Sequence, residues 1–257
     1  MIIKLNDKEY VRTEEPIDLS ISIHTGDNAV LAWYCDPIRL EPVITDRFIG
    51  EVKKGGSVNF RNLFMNPHGN GTHTECVGHI SFEDYSINQC LKEFHFMAIL
   101  VTVDPEEYLN PTDNKKDRIV TCDRLKKAID ELGDFGTDVK AIVVRTLPNS
   151  DKKLSFNYSN TNPTYFAKEA IEMINEMGFE HLIVDQPSID REEDAGVLIG
   201  HHTFWNYPDD PQFHKTITEL VYIPENVHDG RYFLNMQITS LENDASPSKI
   251  VLFEINN

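Results

Sequence analysis

The run Phe96-Met97-Ala98-Ile99-Leu100-Val101-Thr102-Val103 is apolar along nearly its whole length, which demands a buried strand. Ala141-Ile142-Val143-Val144 and Leu182-Ile183-Val184 read as two more. A helix is expected between each pair. The first covers Cys122 to Leu132, with Leu125, Ala128, Ile129 and Leu132 on one face, Thr121 or Asp123 as N-cap and Gly133 as stop. The second covers Thr164 to Met177, where Ala167, Ala170, Ile171 and Ile174 recur at helical spacing and Gly178 ends the run. Helices that lead directly into buried strands imply α/β packing. Ile17 to Ile23 alternates as a strand, and Ile217 to Ile223, Tyr232 to Ile238 and Lys249 to Ile255 make the C-terminus mostly β. With no repeat and no linker-like tract, the 257 residues read as one large α/β domain with a β-rich core.

The formal charge of -18 disfavours nucleic acid and anionic membranes as partners, because phosphate recognition needs clustered Lys and Arg. An acidic surface tolerates cations. No apolar run approaches the length of a membrane helix, and Met1-Ile2-Ile3-Lys4-Leu5-Asn6-Asp7 lacks the pattern of a signal peptide, so a cytoplasmic location is expected. Cys35, Cys76, Cys90 and Cys122 show no CxxC pair and read as reduced thiols, Cys76 as a small buried filler inside a histidine-rich segment.

That segment, Asn66-Pro67-His68-Gly69-Asn70-Gly71-Thr72-His73-Thr74-Glu75-Cys76-Val77-Gly78-His79, holds three of the ten histidines and one carboxylate within twelve residues. In an extended chain His73, Glu75 and His79 share parity and project from one face, where they could converge on one ion. Gly69 and Gly71 let the backbone turn just before them, so that His68 can approach from another direction. A glycine-rich turn carrying surface histidines is the bland alternative.

A second cluster, Gly200-His201-His202-Thr203-Phe204-Trp205, follows an acidic loop containing Asp190, Glu192, Glu193 and Asp194. Read as a strand, it points its two histidines in different directions, so at most one is a metal ligand. Glu219, flanked by Thr218 and Leu220, either faces solvent or must meet a cation if buried.

On these residues the chain resembles the metal-dependent cyclase-like hydrolases, the family of bacterial kynurenine formamidase and isatin hydrolase, whose signature is His-x-Gly-Thr-His-x-Asp-x-Pro-x-His. The matching stretch is Gly69 to His79, and the resemblance continues through Ile17 to Ser20, Val184 to Asp190 and Asp244 to Ser248. It implies a swivelling β/β/α-type fold and a homodimer or larger homo-oligomer. It also implies a divalent ion, zinc or manganese, with His73, Glu75, His201 and Glu219 as ligands, His79 as the acid/base histidine, and Trp33 and Trp205 lining the pocket for a small-molecule substrate. Three positions depart from the signature: Gly69 replaces its first histidine, Glu75 its aspartate and Val77 its proline. His68, one residue upstream, is expected to take over the role left empty at Gly69.

The activity so implied is hydrolysis of an amide, aryl formamide or lactam by a metal-activated water. Two rivals stand beside it: a cyclase or lyase that uses the same ion to stabilise an enolate, and a non-catalytic relative that binds metal or ligand.

Overall fold

The computed structural model describes residues 1–257. The strands that position the site are β1 (His73–Glu75), β2 (His95–Val103), β3 (Val139–Thr146), β4 (His181–Val184), β5 (Thr216–Glu219), β6 (Gly230–Ile238) and β7 (Ala245–Asn256). The helices are α1 (Cys122–Glu131), α2 (Lys168–Glu176) and α3 (Ile199–Trp205), beside one short turn at Ile87–Cys90. β2, β3, β4 and β5 run parallel, β6 and β7 continue antiparallel from β2, and β1 pairs antiparallel with both β5 and β7. The sheet thereby closes into a seven-stranded barrel.

Closure explains the continuous apolar strands. In β2, Ala98 and Leu100 pack with Ala141, Val143, Ile183, Leu234, Met236 and Leu252 in one core, while Ile99 and Val101 pack in another with the helices. Alternate residues thus fill the barrel and seat the helical layer, so neither face can be polar. α1 and α2 cover β2 to β4 with the faces read from their sequence, Leu125, Ala128 and Ile129 on one and Ala170, Ile171 and Ile174 on the other.

Several expected boundaries move. Only Ile17–Asp18 of the first alternating run is a strand, paired with β7. β5 stops at Glu219 because Leu220 turns into the left-handed region (φ 55°). α2 starts at Lys168 because Tyr165–Phe166 pairs with Ile119 and Val120 instead. The His201 segment is a helix, not a strand.

Residues 39–64 form two small ribbons, Arg39–Pro42 with Arg61–Phe64 and Ile44–Thr45 with Phe48–Ile49. Leu40, Ile44 and Leu63 on them, with Val52 and Phe60 between them, are exposed, so the arm leaves these side chains unpacked by the barrel. No helix is long and apolar enough to cross a membrane.

His181, buried at the start of β4, packs 4.1 Å from the Phe96 ring and pairs through Nδ1 with Thr216 Oγ1 at 2.8 Å. Burial pushes its imidazole down from 6.5 to about 3, so below pH 6.5 the unfolded chain takes up a proton that the native protein refuses. Stability is complete above pH 6.5 and drains away as the pH falls toward 3. Between about pH 6 and pH 5, wild type should lose about 1 kcal/mol more than His181→Gln in urea titrations. Parallel losses in both proteins would dismiss His181 as the source.

Candidate metal centre

β1 is only three residues long, yet all three are buried because it is flanked on both edges. Thr72 anchors its entry, accepting a hydrogen bond from Ile21 N at 2.8 Å and donating to Leu220 O. Thr74 points the other way, against Thr218 Oγ1 at 2.7 Å, which leaves His73 and Glu75 on the opposite face. The strand register sets Glu219 directly across from His73. The chain then tightens into a 3-10 turn at Val77–His79, so His79 reaches the centre through a turn and not by strand parity.

His73 Nδ1 donates to Gly71 O at 3.0 Å, which turns Nε2 toward Glu219 Oε2, 3.4 Å away. Glu219 Oε1 accepts from Ile189 N at 3.2 Å. α3 brings His201, whose Nε2 lies 3.0 Å from Glu75 Oε1 and whose Nδ1 is held by Asp190 Oδ2 at 2.5 Å. Asp190 also accepts from the backbone of Gly200 and His201, so ring and helix are oriented by the same carboxylate. His202 faces away, with Nδ1 donating to Tyr207 O at 2.9 Å. Of the histidine pair, only His201 enters the centre.

His68 reaches in from the preceding turn, with Nδ1 3.0 Å from Glu75 Oε2 and Nε2 2.8 Å from Asp244 Oδ2. Its neighbour could not substitute for it. A β-carbon at Gly69 would overlap Cys35 Sγ and lie 2.7 Å from Ala32 O, so the direction a side chain would take from position 69 is already filled.

The charges explain what this arrangement lacks. Burial alone would raise Glu75, but the imidazoles of His79, His201 and His68 outweigh it and hold the carboxylate well below the usual range. Burial, then the charge of Glu75, push Glu219 upward. Burial would lower His201, yet Asp190 and Glu75 hold it well above its ordinary value, and Asp244 and Glu75 likewise push His68 up to about 10. Two adjoining buried carboxylates can both ionise only beside additional positive charge. Among the buried side-chain atoms that make no hydrogen bond are His73 Nε2 and Glu75 Oε2, each left with ion-pair neighbours only, the nearest being Glu219 Oε2 at 3.4 Å and His68 Nδ1 at 3.0 Å. Donor atoms of His68, Glu75 and His79 lie within 4.8 Å of one another, as do those of His73, Glu75 and Glu219, with Glu75 common to both sets. Buried atoms without hydrogen bonds and a mixed N/O donor set fit a divalent ion.

A pocket of about 320 Å³ opens over these groups, lined by His68, His79, His201 and Glu219 together with Trp33, Arg191 and Leu198. Trp33 is set at its mouth by a left-handed backbone (φ 57°) and by Nε1 donating to Pro187 O at 3.2 Å. Trp205, expected beside it, is instead fully buried in the core under α3, donating to Lys215 O at 3.0 Å. Its place on the inner side of a helix, four residues after His201, puts it behind that histidine and out of the pocket. Sequence reasoning assigned no role to Asp190 or Asp244, whose only signal was their position at the ends of matched stretches.

The Cyclase family model matches residues 17–191, which spans the histidine segment and ends at Arg191. The chain belongs to the Cyclase family. Among solved structures it is similar to an isatin hydrolase bound to the product analogue thioisatinate, at 15% identity and TM-score 0.63, over 93% of this chain and 92% of that one. It is also similar to isatin hydrolase A from Ralstonia solanacearum, at 13% identity and TM-score 0.63, over 95% and 92%. A predicted metal-dependent hydrolase from Bacillus stearothermophilus shares 17% identity at TM-score 0.59, over 93% and 98%. No curated protein matches the chain. At these identities the structures establish a common fold.

The packing at Gly69 has a measurable consequence. Gly69→Ala should destabilise the protein by about 1–3 kcal/mol, the usual range for overpacking, seen as a lower midpoint in thermal melts. A melt unchanged from wild type would show that the Ala32–Cys35 turn yields, and that position 69 is open to a side chain.

Proposed function

We propose that this member of the Cyclase family is a metal-dependent hydrolase of a small amide, aryl formamide or lactam. The observation that carries the reading is that His73 Nε2 and Glu75 Oε2, two buried atoms that make no hydrogen bond, meet the side chains of Glu219, His201 and His68 under an aromatic-edged pocket. His73, Glu75, Glu219, His201 and His68 would hold the ion, zinc or manganese by their chemistry. A bound divalent ion lowers the pKa of its water to about 7 and polarises the carbonyl under attack.

The remaining chemistry falls to the chain. Asp190 keeps Nδ1 of His201 occupied, so that Nε2 is the nitrogen offered to the centre. His79 is half-buried at the pocket wall, Nδ1 tied to Asp244 at 3.3 Å and Nε2 turned inward, 3.9 Å from Glu75 Oε2. From that place it accepts a proton from the attacking water at Nε2 and returns it to the leaving nitrogen. Trp33 offers a flat apolar wall to an aromatic ring, and the pocket volume suits one small molecule.

Elemental analysis of the purified protein, beside turnover of a panel of aryl formamides and lactams, tests this reading. His73→Ala and Glu75→Ala should lose most of the bound metal. His79→Ala should keep it while kcat falls about 10²–10⁴-fold. His68→Ala retaining metal equally with wild type would remove His68 from the ligand set. Full metal content without turnover of any amide would favour a binding role, and cyclised or eliminated products would favour the lyase reading.

We also propose a second copy of the chain as the partner of the 39–64 arm. The arm carries five Lys or Arg against three Asp or Glu, within a chain of net charge -18, so its basic, apolar ribbons complement the acidic remainder of another copy. Light scattering should report a dimer or larger assembly for wild type. The double variant Phe60→Asp, Leu63→Asp should shift it toward monomer, and a wild-type monomer would refute the assembly.

A further inference from the structure

Asp244 lies far from the histidine segment in sequence, and barrel closure carries it there. Ala245, the first residue of β7, pairs with Glu75 of β1, and Asp244 O accepts a hydrogen bond from Cys76 N at 3.0 Å. These backbone contacts fix the Asp244 carboxylate beside the turn that presents His79. One oxygen, Oδ2, then accepts from two imidazoles, His68 Nε2 at 2.8 Å and His79 Nδ1 at 3.3 Å. The two rings lie 4.3 Å apart, inclined by 31°.

An imidazole is nearly symmetric in shape, so packing alone chooses poorly between its two flipped orientations. A hydrogen bond to one nitrogen removes that ambiguity and also settles which nitrogen carries the hydrogen. With Nε2 of His68 and Nδ1 of His79 engaged on Asp244, the nitrogens left over are His68 Nδ1 and His79 Nε2. Those are the two that face Glu75 Oε2, at 3.0 and 3.9 Å.

We propose that Asp244 is a positioning residue that sets the orientation of both imidazoles at once, turning His68 Nδ1 toward the metal and His79 Nε2 toward the substrate. The inference rests on the metal-dependent hydrolase reading for its zinc-binding and kinetic consequences, and not for the orientation of the rings. It also accounts for the displaced ligand. His68 starts one residue away from the signature position, on a turn that leaves it partly exposed, and Asp244 draws its ring back to the centre that position 69 cannot reach.

The test compares wild type, Asp244→Asn and Asp244→Ala. Long-range ¹H–¹⁵N spectra identify which ring nitrogen of His79 bears hydrogen, and they do so with or without zinc. Wild type should show hydrogen at Nδ1, slow to exchange, and Asp244→Ala should show a mixture of both tautomers. In zinc-loaded protein, Asp244→Ala should bind zinc about 10–100-fold more weakly. Its kcat on the best aryl formamide or lactam should drop about 10–100-fold, with KM within about threefold of wild type. Asp244→Asn keeps the shape and one acceptor, so it should fold like wild type and fall between the two in all three measurements. An unchanged His79 ring spectrum in Asp244→Ala overturns the proposal, whatever happens to the rate. Loss of the Nδ1 signal in Asp244→Ala, alongside a wild type that neither binds zinc nor turns over substrate, would uphold the orienting of the rings and remove the hydrolase reading.

Discussion

Three backbone pairings hold this molecule's chemistry in place: Glu219 across from His73 on one edge of β1, and Ala245 and Pro247 across from Glu75 and His73 on the other. A three-residue strand has almost no stability of its own. Flanked on both sides it becomes the stave that closes the barrel, with every residue buried. The same pairings bring donors from distant parts of the chain within hydrogen-bonding range. Loss of closure would therefore separate His73 from Glu219 and Glu75 from Asp244 in one step, which ties the integrity of the site to that of the fold.

The electrostatics of the centre divide between its two carboxylates. The imidazoles of His79, His201 and His68 outweigh the burial of Glu75, whereas burial and the nearby charge of Glu75 disfavour ionisation of Glu219. The barrel core, with fully buried residues on both faces of β2, β3 and β4, supplies the stability that keeps such an arrangement assembled. Buried ionisable groups packed this closely, with atoms that make no hydrogen bond among them, mark a place where the fold accepts strain for the sake of chemistry.

The departure at Gly69 shows how a site tolerates a moved ligand. The turn at Ala32 to Cys35 fills the space that a side chain at position 69 would enter, and Asn70 reinforces that turn by donating to Asp36 O at 3.1 Å. The imidazole therefore arrives from the neighbouring residue and from another direction. Side-chain reach, about as long as the residue spacing itself, makes a one-residue shift affordable where backbone and second partner cooperate.

The sequence by itself determined the layering and the nucleus of the site. Unbroken apolar runs at β2, β3 and β4 require two buried faces, helical periodicity placed α1 and α2, and alternation along His73-Thr74-Glu75 put an imidazole and a carboxylate on one face. These are local properties, written in the 2.0 and 3.6 periods of the backbone. What only the tertiary structure decided is everything that depends on closure. Nothing adjacent to Glu219 tells whether it meets solvent or a histidine, nothing beside Trp205 tells that it lies behind His201 in the core, and the helical state of residues 199–205 is imposed by Asp190 and the packing of Phe204 and Trp205. The partnership of Asp244 with His68 and His79 spans 176 and 165 residues, and such contacts are specified by strand register across a closed barrel, a property of the whole chain and of no segment within it.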